Sequence, residues 1–157
     1  MSIEAARRHL ASFGLEDRVQ EFTVSSATVE LAAQAVGCEP ARIAKTLSFE
    51  GDSCSILVVA AGDAKIDNRK FKDRFGRKAK MLSADEVEAR VGHGVGGVCP
   101  FGVKGGVEVY TDASLRRFDA VYPAAGTAAS AVRLSCDELF RASGSRGWVD
   151  VCKGWTE

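Results

Sequence analysis

The longest uninterrupted apolar run in this 157-residue chain, Ile56–Ala61, is only six residues long. A membrane-spanning helix requires roughly 18 apolar residues in a row, whereas strands of about five or six residues are common. A second strand-like segment, Ile43–Phe49, precedes the run, and the intervening Glu50-Gly-Asp-Ser predicts a hairpin turn. The chain is therefore expected to fold around a pair of strands and to have no membrane partner.

Helical patterns alternate with these strands along the chain. Apolar residues spaced three and four apart predict a helix over residues 2–13, and Thr28 can cap a second helix that ends at Gly37. Two capping boxes, Ser83-Ala-Asp-Glu86 and Ser135-Cys-Asp-Glu138, each predict the start of a short helix. Further short strands are expected near residues 18–24, 107–111, 119–123, 130–134 and 148–151.

The composition is that of one ordinary globular domain, with 46% hydrophobic and 27% charged residues. We expect residues 1–157 to form a single α/β (α+β) domain, in which helices surround a mixed, partly antiparallel sheet. No apolar signal core follows the first residues, so a cytoplasmic location is expected. The five cysteines are far apart and only two histidines accompany them, so we expect no disulfide framework, no metal and no other cofactor.

Positive charge is concentrated between residues 65 and 80. The formal net charge of the chain is zero, yet this segment carries eight basic residues against two aspartates. An apolar stripe within it predicts a helix that ends at Gly76. Such a helix is either solvated or directed at phosphate groups, and the charge alone favours neither. If it contacts nucleic acid, the expected tRNA-binding residues are Lys70, Lys72 and Lys78.

Lys45 is the most unusual residue of the first predicted strand. Because alternate strand residues share a face, Lys45 is grouped with the apolar Ile43 and Leu47. A lysine directed toward a core is rare unless it is paired or lines a cavity. The alternative is an edge-strand lysine that extends to water, and the pattern leaves both interpretations open.

A glycine-rich segment is the second candidate functional feature. Seven of the sixteen glycines lie between Gly92 and Gly106. Glycine lets a backbone approach a ligand closely, and consecutive amides can bind an anion. Neither the Walker pattern nor a dinucleotide fingerprint that opens a helix is present here. The segment therefore indicates either a ligand-binding loop of another kind or a long structural turn.

Two further patterns have competing interpretations. Cys99 and His93 lie close enough in sequence to suggest a cysteine hydrolase, although no acidic or amide residue nearby could orient the histidine. The small residues of Tyr122-Pro-Ala-Ala-Gly-Thr-Ala-Ala-Ser130 predict either a tight, shallow binding wall or a simple strand–turn–strand connection.

Taken together, these segments resemble the YbaK/EbsC family and the related editing domain of bacterial prolyl-tRNA synthetases. The resemblance extends over nearly the whole chain and is carried by Thr28-Val-Glu-Leu-Ala-Ala, Ile43-Ala-Lys-Thr-Leu47, Gly96-Gly-Val-Cys-Pro-Phe-Gly102 and Tyr122-Pro-Ala-Ala-Gly-Thr127 with Ser130. The G-x-x-x-P loop of the family maps onto Gly96–Pro100, and its invariant lysine maps onto Lys45. The resemblance implies a mixed, partly closed sheet surrounded by helices, and no metal.

The resemblance also implies a function, which is hydrolysis of the ester between a wrong, small amino acid and the 3′ end of a tRNA. Lys45 would then neutralise the terminal phosphate, while Gly97, Val98 and Cys99 position the ester and stabilise the developing oxyanion. The implied substrate-binding residues are Thr28, Thr46, Gly96, Pro100, Phe101, Gly102, Tyr122, Gly126, Thr127 and Ser130. The expected partners are aminoacylated tRNA and an aminoacyl-tRNA synthetase. A non-catalytic module that binds charged tRNA or a synthetase remains the alternative.

Overall fold

The computed structural model describes residues 2–156, so the two ends of the predicted domain, residues 1 and 157, lie outside the described residues. The helices are α1 (Ser2–Ala11), α2 (Val29–Val36), α3 (Asn68–Phe75), α4 (Ala84–Val91) and α5 (Cys136–Ala142). The strands are β1 (Val19–Glu21), β2 (Ile43–Glu50), β3 (Ser55–Ala61), β4 (Lys65–Ile66), β5 (Val107–Asp112), β6 (Tyr122–Pro123), β7 (Ser130–Val132), β8 (Trp148–Val149) and β9 (Cys152–Lys153). Within this range, no helix combines the length and the apolar character that crossing a membrane requires.

A five-stranded sheet with the order β6-β2-β3-β5-β8 organises the fold. β2 and β3 form the predicted antiparallel hairpin, in a register that runs from Ala44 opposite Ala61 to Glu50 opposite Ser55. The other three pairings in this sheet are parallel. Two antiparallel ribbons, β1–β7 and β4–β9, accompany the main sheet. The mixed, partly antiparallel sheet predicted from the sequence is confirmed.

β3 forms the centre of the core, and each of its residues is buried. It is paired on both edges, and helices and loops cover both faces, which explains its unbroken apolar sequence. Phe49 of β2 packs against Phe71 of α3 with the ring centroids 4.7 Å apart. The basic segment therefore forms a helix whose single apolar stripe is anchored to the sheet.

The predicted caps of α2, α4 and α5 are confirmed. Thr28 caps α2 by accepting a hydrogen bond from the Leu31 amide, and Gly37 ends the helix in the left-handed conformation with φ of 85°. Ser83 and Ser135 form complete capping boxes at the starts of α4 and α5. These signals are read correctly because each depends on residues within one helical turn.

The main differences from the sequence prediction concern short elements. α1 ends at Ala11 instead of residue 13, and β1 covers three residues of the predicted 18–24. The two-residue strands β4 and β9 were not predicted at all. A pair of residues carries no detectable period, so such strands are determined by tertiary contacts.

Candidate functional site

A gap in strand pairing opens along the outer edge of β2. β6 pairs only with Ile43 and Ala44. The next strand partner on this edge is Met81, which bridges to Phe49. Within residues 2–156, residues 45–47 consequently have a strand neighbour only on the β3 side. A cavity of about 250 Å³ lies against this gap.

Five parts of the chain build the cavity wall. They are the start of α2, β2, the approach to α4, the glycine-rich segment between Gly92 and Gly106 (the glycine loop) and the β6–β7 connection. Seven of the residues predicted as site residues line it, namely Thr28, Lys45, Thr46, Gly96, Val98, Tyr122 and Ser130. The other predicted residues, which do not line it, are Gly97, Cys99, Pro100, Phe101, Gly102, Gly126, Thr127, Lys70, Lys72 and Lys78. Several of these support the wall from behind.

Lys45 places a cation on the cavity wall. Its side chain is partly buried, and Nζ donates a hydrogen bond of 3.4 Å to the Gly62 carbonyl oxygen. Burial lowers the pKa of the ammonium group below its ordinary value. No carboxylate of the described chain lies within ion-pair distance of Nζ. A partly desolvated ammonium without a carboxylate partner is well suited to hold an anionic group.

The glycine loop meets the β6–β7 connection backbone to backbone. A Cβ atom on Gly97 would lie 2.7 Å from the carbonyl carbon and oxygen of Gly126 and 2.7 Å from Thr127 Cα. The amide of Gly97 is engaged, since it donates to the Gly94 carbonyl oxygen at 3.0 Å. The amides of Val95, Gly96 and Val98 have no acceptor in the described chain, and all three residues line the cavity, so this loop has free donors at the cavity wall.

His93 and Cys99 do meet, as their spacing allowed, but deep inside the protein. His93 Nε2 lies 2.6 Å from the Phe101 carbonyl oxygen and 3.5 Å from Cys99 Sγ. Both side chains are fully buried. Burial raises the pKa of the Cys99 thiol to about 12, so the thiolate needed for nucleophilic attack is not formed near neutral pH. His93 and Cys99 thus connect two parts of the glycine loop inside the protein. Their complete burial disfavours the cysteine-hydrolase alternative.

Ser130 organises the opposite wall. Its Oγ accepts a hydrogen bond from the Ala125 amide at 3.1 Å and donates to the Thr127 carbonyl oxygen at 3.2 Å. The hydroxyl therefore holds the turn that contains Gly126 in place. Two other hydroxyls of the wall, those of Ser26 and Thr46, are buried and have no hydrogen-bond partner among residues 2–156. These two groups retain hydrogen-bonding capacity next to the cavity.

The basic segment lies outside the cavity. Lys70 Nζ is already engaged, at 3.2 Å from Asp150 Oδ1 and 3.1 Å from the Cys152 carbonyl oxygen. Lys72 and Lys78 are exposed and form no ion pair within the described chain. The three predicted tRNA-binding lysines thus differ in how much of their charge is available.

Sequence reasoning missed the apolar rim of the cavity. Met81 and Val95 line it with 56% and 71% of their surface exposed, and Leu82 and Val87 lie deeper. Exposed hydrophobic residues at a cavity mouth are typical of binding sites. Val95 could have been found, because it is a lone bulky residue between Gly94 and Gly96. Met81 carries no comparable local signal.

Comparison with known proteins identifies the family of this chain. Residues 23–142 match the family model described as the aminoacyl-tRNA editing domain. An uncharacterized Bacillus subtilis protein, YwhH, is 52% identical over 99% of both chains. EbsC of Enterococcus faecalis, a candidate Cys-tRNA(Pro)/Cys-tRNA(Cys) deacylase, is 28% identical over 71% of this chain and 70% of its own length.

The fold comparison leads to the same family. The crystal structure of a candidate trans-editing enzyme for prolyl-tRNA synthetase superposes with a TM-score of 0.88 and 29% identity, over 98% of both chains. The resemblance read from the four sequence motifs is therefore confirmed. Because the family model matches residues 23–142 and the fold superposes on this crystal structure, the chain belongs to the aminoacyl-tRNA editing domain family.

Proposed function

We propose that this protein is a free-standing deacylase that hydrolyses the ester of a tRNA mischarged with a small amino acid. The observation that carries the proposal is that Lys45 and the glycine loop line the same cavity. The ammonium group suits the phosphate of a terminal nucleotide, and the Val98 amide suits an ester oxygen. The relatives that are named as deacylase and trans-editing enzyme support the same reaction class.

The reaction is attack of a water oxygen on the ester carbonyl carbon. The acyl–oxygen bond then breaks, one proton of the water passes to the ribose oxygen, and the amino acid leaves as a carboxylate while the other proton is released to solvent. Negative charge develops on the carbonyl oxygen before the bond breaks, and a backbone amide stabilises it at that stage. Since Cys99 is buried and un-ionised, the attacking group is assigned to water, oriented by a hydroxyl of the tRNA ribose.

Cavity size supports a small amino acid as the substrate. The volume of about 250 Å³ must accommodate the acyl group together with part of the terminal nucleotide. Ala124 and Ala131 line the wall and add little bulk, whereas Leu82 and Val87 limit its depth. Selection by size alone discriminates one methylene group by only about 1–3 kcal/mol, so a graded preference is expected.

The test is a panel of tRNAs charged with alanine, 2-aminobutyrate, valine and phenylalanine, incubated with the wild type and with Lys45→Met. We expect the wild type to hydrolyse the small esters and Lys45→Met to lose about a hundredfold or more of the turnover, as when one charge-stabilising group is removed from an active site. The thermal midpoint of Lys45→Met should be unchanged or higher, because burial opposes the charge on Lys45.

Lys104→Met provides the matched control, since Lys104 is exposed and does not line the cavity. Wild-type protein that binds these charged tRNAs without hydrolysing any of them would favour the alternative, a non-catalytic binding module. Contacts of tRNA with Lys70, Lys72 and Lys78, and a synthetase as a further partner, are part of the same proposal. Lys72 and Lys78 are the stronger candidates, because Lys70 is paired with Asp150.

A further inference from the structure

The β4–β9 ribbon holds two lysines directly opposite one another. In its antiparallel register, Lys65 pairs with Lys153, and Ile66 pairs with Cys152. Cys152 is fully buried, so the other pair projects from the opposite face, and both lysines are exposed. Like charges directly opposite in an antiparallel pair are unfavourable. The ribbon therefore maintains a concentration of positive charge that its own folding does not favour.

The neighbouring carboxylates are engaged by other groups, and Asp67 in addition interacts electrostatically with Lys153. Asp63 is held by Arg117, with hydrogen bonds of 2.6 and 2.9 Å. The carboxylate of Asp67 caps α3 by accepting from two backbone amides. Asp150 accepts from Lys70 at 3.2 Å. Each nearby acid thus has another partner, and neither lysine of the ribbon forms an ion pair within residues 2–156.

The lysine pair is continuous with the cavity. Lys45 hydrogen-bonds the Gly62 carbonyl oxygen, three residues before Lys65 in the turn that leads into β4. Burial is the main cause that lowers the pKa of Lys45, and the charge on Lys65 adds to it. Asp63 and Glu30 act on this pKa in the opposite direction. A row of three lysines accordingly leads from the cavity wall out onto the ribbon.

We propose that Lys45, Lys65 and Lys153 form a phosphate track for the single-stranded 3′ end of a tRNA. The terminal nucleotide occupies the cavity with its phosphate at Lys45, and the preceding phosphates lie along the ribbon. The proposal rests on the proposed function, because that function places the 3′ end in this cavity. It adds the direction in which the strand leaves, which is across β4–β9. A phosphate between Lys65 and Lys153 would also relieve their mutual repulsion.

The test measures binding of uncharged, fluorescently labelled tRNA with an intact CCA end, and of the same tRNA with that end removed, over a series of salt concentrations. The variant is the double substitution Lys65→Gln/Lys153→Gln. We expect it to bind intact tRNA more weakly and to lower the log–log salt slope by about 0.7 for each single-strand phosphate that the two lysines contact. Its preference for the intact end should also decrease.

Arg8→Gln/Arg141→Gln is the matched control, because it removes two exposed positive charges from α1 and α5, which do not line the cavity. The thermal midpoint of the lysine variant should equal or exceed that of the wild type, which separates lost binding from lost folding. The proposed phosphate track would be contradicted by an unchanged salt slope in the lysine variant. Equal binding of the intact and the shortened tRNA by the wild type would also contradict it.

Uncharged tRNA carries no ester, so its binding is measured independently of hydrolysis. The proposed deacylase activity and the proposed phosphate track can therefore be contradicted separately. Wild-type protein that prefers the intact end but hydrolyses no ester contradicts the deacylase and supports the track. Normal hydrolysis with the same KM in the wild type and in Lys65→Gln/Lys153→Gln contradicts the track and leaves the deacylase in place.

Discussion

At the residue scale, His93 illustrates how a fully buried polar side chain can maintain a binding loop. Its Nε2 lies 2.6 Å from the Phe101 carbonyl oxygen, which joins the two ends of the glycine loop. The other ring nitrogen, Nδ1, is buried without a partner in the described chain. Burial lowers the pKa of this imidazole below its ordinary value, so the folded protein keeps it neutral.

This environment predicts a stability that depends on pH. The unfolded chain takes up a proton on His93 near pH 6.5, whereas the folded protein does so only at lower pH. The free energy of unfolding should therefore fall as the pH drops below about 6.5, by up to about 1.4 kcal/mol per pH unit from this group. Urea titrations at pH 7.5 and 5.5 should show a larger loss for the wild type than for His93→Gln.

His9→Gln is the appropriate control, because it removes the other histidine and retains His93. Identical pH dependence in the wild type and in His93→Gln would mean that the native imidazole accepts a proton as readily as the unfolded one. Strand parity singled out Lys45 but left open whether its side chain lines a cavity or extends to water, and the structure places it, partly buried, on the cavity wall. The structural role of Ser130 was not predictable, because its bonds to Ala125 and Thr127 depend on the shape of a turn.

At the scale of elements, the cavity depends on two loops that touch through their backbones. Gly97 leaves no room for a Cβ atom against Gly126, whereas Gly105, in the same glycine-rich segment, has no neighbouring atom within 4 Å. The two glycines look equivalent in the sequence. Their structural roles differ because one contacts a segment about thirty residues away, a relation that local sequence patterns do not report.

A pair of alanine substitutions tests this difference. Gly97→Ala forces the glycine loop away from the β6–β7 connection, because the atoms it meets belong to the backbone and cannot rotate aside. We expect a loss of stability of about 1–3 kcal/mol, as for other overpacked sites, and a clear loss of deacylation. Gly105→Ala should leave both quantities nearly unchanged. Equal thermal midpoints and equal turnover for the two variants would contradict the backbone contact.

Elements with local signals were predicted well, and those without were not. Both capping boxes and the β2–β3 hairpin were identified because their determinants lie within a few residues. β4 and β9 escaped prediction because each is two residues long and pairs with a strand almost ninety residues away. The ribbon that carries Lys65 and Lys153 was therefore not detectable in the sequence, although Lys65 was counted in the basic segment.

At the scale of the whole molecule, residues from five separate segments of the chain line the cavity. Motif resemblance identified four of these five segments, including β2 with Lys45 and the glycine loop. It could not identify Met81 or Val87, because no motif includes them and only the packing of α4 brings them to the site. Sequence reasoning located the small residues of the β6–β7 connection, but not which of them face the cavity.

The structure distinguishes these small residues and predicts how substrate size is controlled. Ala124 lines the cavity, whereas Ala129 does not. Ala124→Leu should reduce hydrolysis of valyl and 2-aminobutyryl esters more than that of alanyl esters, because the added bulk occupies space that larger acyl groups need. A difference of about tenfold per methylene group corresponds to the lower end of such discrimination. The measurement is kcat/KM on the four charged tRNAs.

Ala129→Leu adds the same bulk to the same connection outside the cavity, so its order of substrate preference should match that of the wild type. If Ala124→Leu slows all four esters equally, the cavity does not select by size. If both variants change the preference alike, the effect comes from the connection as a whole and not from the lining position.

The close contact of Gly97 with Gly126 also has a consequence for protein engineering. A wall made of two backbones presents no side chain that substitution could exchange, so libraries that vary these positions should yield mainly inactive proteins. Useful diversity has to be introduced where side chains line the cavity, at Met81 on its rim and at Leu82 and Val87 deeper inside. Directed evolution of substrate range should therefore accumulate its changes around α4 and leave Gly97 and Gly126 untouched.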